Sequence, residues 1–342
     1  MKKIIITGVT GQDGSHMADY LLQNTNDAII AGVRRLSVKN HENIKHLLNN
    51  DRFKLVDLDV TDNENTSSLI EKEKPDFFIN FAANSFVGNS WDMPVNHMET
   101  NTMAVLYQLT SIAKHCPKCR YYNAGSSEEF GDVISSPQDE THPLRPRSPY
   151  GASKASARHL VKVYRDSFNL FAIQGWLFNH EGTRRGIDFV TRKISNGIAQ
   201  LKKALEIDEV LRFSHPKPKL PILQLGNMSA TRDWSDAEDF VEGVWLMLNQ
   251  KKPKEFVLAS GKMHSIRDFA KQCLEHAGIE YINTGKGEEE KFTTVDGRTI
   301  IKVNKDFYRP AEVNSLKGNP SLAESELGWK RKTNFTGLVK KM

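Results

Sequence analysis

The chain opens on an apolar strand that runs straight into a glycine pattern. Ile4-Ile5-Ile6-Thr7 is followed by Gly8-Val9-Thr10-Gly11-Gln12-Asp13-Gly14, and then by helical periodicity over Met17–Gln23. Few folds accept that order. Gly8 permits a tight turn, Gly11 lets backbone approach a pyrophosphate, and Gly14 lets the helix pack on the strand. The helix N-terminus then offers N–H groups and partial positive charge to phosphates. Thr10, Gln12 and Asp13 lie in the same turn and are expected to line a dinucleotide with the glycines.

Further β-branched runs follow at Ala28–Val33, Phe53–Val56, Phe77–Phe81, Arg120–Asn123 and Phe171–Leu177, with helical stretches such as Asn101–Lys114 and Ala155–Ser167 between them. Strands alternating with helices predict parallel βαβ units, and strands apolar on both faces predict a sheet covered on both sides. The expected fold is α/β, a Rossmann-type doubly wound parallel sheet with a smaller C-terminal substrate-binding domain. Residues 1–178 form the expected dinucleotide domain, with later segments, about 222–260, returning to it. Residues 179–342 are read as mainly substrate-binding and interleaved with it. There the rhythm turns irregular: Pro216, Pro218 and Pro221 break the chain, and Gly285–Gly297 is polar and charged.

Composition narrows the function classes. The 342 residues are 39% hydrophobic and 26% charged, ordinary for a soluble globular protein. No apolar run approaches the ~20 residues that span a bilayer, and the short apolar start is no signal segment, so a cytoplasmic protein without membrane association is expected. Cys116-Pro117-Lys118-Cys119 has CxxC spacing, but a tetrahedral zinc site wants a second pair, so no metal is expected. The net charge of +5 is scattered. The densest basic stretch, His215–Lys219 after Lys202-Lys203, has no interleaved aromatics, which argues against nucleic-acid binding.

Two constellations carry chemistry. The second strand ends in Gly32-Val33-Arg34-Arg35, where NAD-binding units place an acidic residue. Two guanidiniums there suit a 2′-phosphate, so the expected cofactor is NADP. Asp57-Leu58-Asp59-Val60 ends the third strand, and Asp59 and Val60 are expected near the adenine. Tyr150 and Lys154 stand at i and i+4, which on a helix puts both on one face. Lys154 would favour the phenolate of Tyr150, letting it take a proton from a substrate hydroxyl as hydride leaves the carbon. The strand Arg120–Asn123 runs out into Gly125-Ser126-Ser127-Glu128-Glu129, hydroxyls and carboxylates at the ligand-binding edge of a parallel sheet. Glu128 and Glu129 point apart, so only one is expected to face the site.

Together the glycine pattern and YxxxK resemble the extended short-chain dehydrogenase/reductase superfamily. Within it, Gly8–Gly14, Arg34-Arg35, Ala124–Gly131, Pro146–Lys154, Phe178–Gly186, Phe189–Ile194, Arg232-Asp233-Trp234 and Tyr308–Val313 resemble the GDP-mannose 4,6-dehydratases over nearly the whole chain. The resemblance selects Ser126 and Glu128 as catalytic beside Tyr150 and Lys154. It implies that Tyr150 removes the 4-hydroxyl proton while hydride leaves C4, and that Glu128 takes the C5 proton. The 6-hydroxyl then leaves as water, and hydride returns to C6. It also implies that His180, Arg185, Ala82 and Ala83 contact the cofactor. Ser85 would lie near the sugar, with Asn179, Val190, Lys193, Arg232, Arg309 and Glu312 holding the GDP part.

Three departures from the family pattern stand out. The segment from about Lys203 to Ile222 is longer, Leu36–Asn43 lacks a serine-rich run, and Ala124-Gly125-Ser126 replaces serine-threonine wording. A homo-oligomer, dimer or tetramer, is expected. The alternatives are the same reaction on a related sugar such as GDP-manno-heptose, or a non-catalytic NADP-binding protein. Intact Tyr150, Lys154, Ser126 and Glu128 speak against the last.

Overall fold

A computed structural model describes residues 1–210, 219–308 and 316–342. Its strands are β1 (Lys3–Thr7), β2 (Ala28–Val33), β3 (Phe53–Asp57), β4 (Phe77–Asn80), β5 (Arg120–Ala124), β6 (Ala172–Leu177), β7 (Asn179–Glu181), β8 (Leu223–Leu225), β9 (Thr231–Arg232), β10 (Trp234–Asp236), β11 (Val257–Leu258), β12 (His264–Ser265), β13 (Ile282–Thr284), β14 (Lys291–Thr293) and β15 (Thr299–Val303). The helices are α1 (Gln12–Asn24), α2 (Asn63–Glu73), α3 (Pro94–Met98), α4 (Ala104–His115), α5 (Pro149–Phe168), α6 (Val190–Val210), α7 (Ala237–Leu248), α8 (Ile266–Ala277) and α9 (Phe335–Lys341).

Seven strands form one parallel sheet in the order β11-β6-β5-β4-β1-β2-β3. Alternation along β1 explains its two coverings. Ile4 and Ile6 join Met17 and Leu21 of α1 and Phe240 and Val244 of α7 on one face. Ile5, opposite Ile30 and Phe78, joins Val105 and Leu109 of α4 and Val161 of α5 on the other. All three isoleucines are fully buried, and each side chain stabilises the fold by about 1.5–3 kcal/mol relative to exposure. Chain order reverses between β1 and β4, which opens the ligand crevice at their C-terminal ends.

A second core lies between α6, α8, α9 and the small sheet β13-β14-β15-β8, built on Ile194, Ile198, Phe269, Leu274, Phe292 and Leu338. The two cores interleave along the chain. After α6, the segment from β10 through α7 to β11 returns to the large sheet, where α7 packs on α1. Leu223–Leu225 lies in the span expected to return but instead pairs with β15.

Candidate active site

The glycine turn is held by close approach. Gly8 takes a left-handed φ of 66°, and a Cβ there would sit 2.7 Å from the Ala82 nitrogen. A Cβ on Gly14 would sit 2.4 Å from the Gly8 carbonyl oxygen, so only glycine lets α1 start this close to β1. Gly11, the N-cap, has no side chain to cap the helix, so the first N–H groups of α1 face the crevice uncapped. Asn43 Nδ2 donates to the Thr10 carbonyl at 2.9 Å and braces the turn. Asp13 Oδ2 meets His180 Nε2 at 2.9 Å, while His180 Nδ1 lies 2.7 Å from the Phe178 carbonyl and the ring stacks on Phe240. Burial disfavours charge on both groups, but the pair overrides it. Asp13 is held well below the usual carboxylate range, and His180 is raised. Gln12 Nε2 donates to the His180 carbonyl at 3.1 Å, so a strand of the second half anchors the first turn of α1.

Other expected cofactor residues line the same sheet edge. Arg34 and Arg35 follow β2 and are exposed. Asp59 Oδ1 accepts from the Thr61 nitrogen at 3.0 Å and hydroxyl at 2.7 Å, and Val60 is buried behind it. The Ala82 nitrogen donates to Thr7 Oγ1 at 3.2 Å, and Ala83 is half-buried next to it. A tight glycine cradle, uncapped helix N–H groups and a cationic end to β2 form a donor set that fits a dinucleotide.

The chemistry-bearing helix α5 starts at Pro149, with Ser148 Oγ accepting from the Gly151 nitrogen at 3.0 Å. Tyr150 and Lys154 fall one turn apart on its buried face. Burial pushes the Tyr150 phenol up to about 12, a hydrogen bond with Ser126 pulls it down, and Glu128 and Glu129 add to the rise. Burial also lowers Lys154, to about 8, against the opposing pull of Glu129 and Asp13. Lys154 Nζ donates to the Ala124 carbonyl at 2.8 Å. Desolvation is thus the largest influence on Tyr150, and the Lys154 ammonium is held on the last residue of β5.

Beyond β5 the chain makes a single 3-10 turn, Ser127–Glu129, closed as a capping box. Ser126 Oγ accepts from the Glu128 nitrogen at 3.2 Å, and Glu129 Oε1 accepts from the Ser126 nitrogen at 2.8 Å. The two carboxylates diverge. Glu129 is fully buried and ion-paired to Arg158 at 2.5 Å, while Glu128 is half-buried and acts electrostatically on Tyr150. Gly151 lets the turn seat on α5, because a Cβ there would lie 2.6 Å from the Glu128 carbonyl oxygen.

The remaining expected residues come from several elements, and Arg185 is the one that acts on Tyr150. Arg185 pairs with Glu181 at 3.1 Å, lies 3.6 Å over the Phe189 ring, and acts on both Asp13 and Tyr150. Asn179 starts β7, Val190 starts α6, and both are half-buried; Ser85 is exposed. Lys193 Nζ lies 3.9 Å over Phe307, and burial lowers its pKa. Arg232 Nη1 donates to the Thr231 carbonyl at 2.7 Å. Arg309 and Glu312 lie outside the described residues, as do 211–218 of the longer basic segment.

Three supports were not expected from sequence. Asp233, buried beside Arg232, accepts from the nitrogens of Ser260, Gly261 and Gly318 at 2.6, 2.9 and 3.1 Å, tying two distant loops to its own. A π-turn, Glu99–Met103, puts Asn101 Nδ2 on Ser153 Oγ at 3.0 Å and Thr102 Oγ1 on the Ser153 carbonyl at 2.8 Å, one residue before Lys154. The third is the Glu129–Arg158 pair. Among the described residues no cluster of three or more His, Cys, Asp or Glu could hold a metal, and no helix is long and apolar enough to cross a membrane.

Comparison with known proteins adds a family. The family model described as GDP-mannose 4,6 dehydratase matches residues 5–342. A GDP-mannose 4,6 dehydratase of Cricetulus griseus is 38% identical over 351 residues, covering 100% of this chain and 90% of the relative. A Yersinia enterocolitica GDP-mannose 4,6-dehydratase is 38% identical, covering 96% of this chain and 89% of its own. Among solved structures, a dTDP-glucose 4,6-dehydratase from Bacillus anthracis in complex with NAD superposes with TM-score 0.78 at 20% identity, over 99% of this chain and 94% of that one. RMD from Pseudomonas aeruginosa complexed with NADPH superposes with TM-score 0.75 at 18% identity, over 100% and 97% of the two chains. These two establish the shared fold.

Proposed function

The chain belongs to the GDP-mannose 4,6-dehydratase family, which makes it a lyase, and we propose that it dehydrates GDP-mannose to GDP-4-keto-6-deoxy-mannose with bound NADP. The observation that carries the mechanism is the seating of the Ser126–Glu128 turn on the helix of Tyr150, where a Cβ on Gly151 would lie only 2.6 Å from the Glu128 carbonyl oxygen. Ser126 and Glu128 thereby both act on the phenol. Gly8, Gly11, Gly14, Asp13, Ala82, Ala83, His180 and Arg185 would hold the dinucleotide, and Asp59 and Val60 its adenine end. Arg34 and Arg35 favour NADP over NAD, because β2 ends on two exposed cations and no acid. When bound, the nicotinamide supplies reversible hydride acceptance, with no net consumption across the cycle.

The chain's own groups then divide the proton work. Tyr150 Oη takes the proton of the 4-hydroxyl, and the Ser126 hydroxyl holds the phenol in place. Lys154, one turn on, brings the positive charge that a phenolate requires, and closes the helix onto β5 through the Ala124 carbonyl. Oxidation at C4 acidifies the C5 proton, which Glu128 removes; a proton from Glu128 or Ser126 leaves with the 6-hydroxyl as water. Asn179, Val190, Lys193, Arg232 and Ser85 are proposed to hold the GDP-sugar. The cations among them suit a diphosphate.

The family match favours mannose over GDP-manno-heptose. A non-catalytic binder would have no use for a serine, carboxylate and tyrosine gathered at one sheet edge. Three free cysteines suit a reducing cytoplasm. Exposed Met98, Met103 and Val163 on neighbouring helical segments are in keeping with a homo-oligomer. The test of the mechanism is Glu128→Gln: rapid mixing with GDP-mannose should show reduced cofactor accumulating, with no elimination product. Unimpaired turnover would remove Glu128 from its role.

A further inference from the structure

Behind the reacting groups a continuous line of side chains crosses four strands of the large sheet. Thr7 Oγ1 donates to Asn80 Oδ1 at 2.5 Å, Asn80 Nδ2 to Asn123 Oδ1 at 2.7 Å, and Asn123 Nδ2 to Gln174 Oε1 at 2.7 Å. Gln174 Nε2 then forks, donating to Glu129 Oε1 at 3.1 Å and to the Lys154 carbonyl at 2.9 Å. Thr7, Asn80, Asn123, Gln174 and Glu129 are each 2% exposed or less. A sheet interior has no need of so many amides. Apolar side chains would fill the same places without the cost of satisfying every donor and acceptor.

The fork explains what the line accomplishes. Glu129 is tied on one side to the Ser126 nitrogen, and so to the turn that carries Ser126 and Glu128. On the other side it meets Arg158 of α5, whose Nη1 also donates to the Gln174 carbonyl at 2.5 Å. Gln174 meanwhile grips α5 at Lys154. The serine–glutamate turn and the tyrosine–lysine helix are thus joined through one buried pair. Gly125 is fitted to it, since a Cβ there would lie 2.7 Å from both Glu129 Oε1 and Arg158 Nη2.

We propose that Gln174 and Glu129 act together as positioning residues for the dehydration, fixing the Ser126–Glu128 turn against the Tyr150–Lys154 helix. This rests on the catalytic reading above. The placement also has an electrical side. Lys154 faces the Ala124 carbonyl, Glu129 and Asp13, while Tyr150 faces Ser126, Glu128, Glu129, Arg185 and the edge of the His97 ring. Glu129 raises the pKa of both Lys154 and Tyr150, so removing its charge lowers both.

The experiment is a double-mutant cycle of Glu129→Gln and Gln174→Met in the full chain, with cofactor and GDP-mannose. Each single change should lower kcat about tenfold or more while KM and cofactor affinity stay within about twofold, and the double should cost no more than the worse single. Glu129→Gln should also move the kcat–pH profile to lower pH, and the 13C-labelled Lys154 should titrate lower by NMR. Should Gln174→Met not fold, Gln174→Asn takes its place, being one methylene short of reaching both partners. Losses that add, or kcat, KM and cofactor binding falling together with thermal stability, would overturn the pairing. Wild-type protein without turnover would instead defeat the catalytic reading, and an unmoved Lys154 titration would then decide against the pairing independently of activity.

Discussion

Burial acts on the protonation of Tyr150 and Lys154 more than any neighbour does. Tyr150 and Lys154 are legible in sequence as a spaced pair, yet their charge states are not, because desolvation comes from residues far away in the chain. Lys154 near 8 stays mostly cationic at neutral pH and loses its charge just above it. The division between Glu128 and Glu129 is half-legible: adjacent residues diverge, but only the fold supplies Arg158, 29 positions on, to claim one of them. Arg34-Arg35 is the sequence feature with the clearest consequence at this scale. Arg35→Glu should weaken NADP about tenfold or more and NAD far less, read by fluorescence titration, since a charge-assisted bond is worth about 1.5–3 kcal/mol. Equal losses for the two dinucleotides would undo the 2′-phosphate assignment.

Six of the seven strands of the large sheet are readable as short β-branched or aromatic runs, while β11, only Val257–Leu258, is too short to stand out. Helix starts are less so. The periodicity begins at Met17, but α1 begins at Gln12, because its first turn is the small and polar Gln12-Asp13-Gly14-Ser15 set against β1. The short β8 was misplaced because Leu-Gln-Leu alternates without saying which sheet it joins, and β15 lies far along the chain. What fastens α1 to β7 is Asp13–His180, and its energetics carry a sign. His180, raised above its ordinary value, contributes stability fully below about pH 6.5 and loses it as pH rises through the raised pKa. Asp13, depressed, contributes above about pH 4 and loses it only in stronger acid. Asp13→Asn should therefore cost about 1–3 kcal/mol at pH 5.5 and less at pH 9, read by denaturant unfolding. An equal cost at both pH values would show that the pair is not ionised as described.

At the scale of the molecule there are two cores, and the chain passes between them more than once. The glycine turn, α5 and the Ser126–Glu128 turn belong to the large sheet; Lys193 and Arg232 come from the side of the smaller one. That division follows from chain order and apolar patterning. The cross-links Asp13–His180 and Asp233 with its three loop nitrogens do not, since each joins segments distant in sequence. The most direct measurement of the central claim is mass spectrometry of GDP-mannose incubated with the purified protein and catalytic NADP. The account predicts loss of one water from the sugar nucleotide with no net reduction of the cofactor. An unchanged GDP-mannose, with the protein folded and NADP bound, would contradict it.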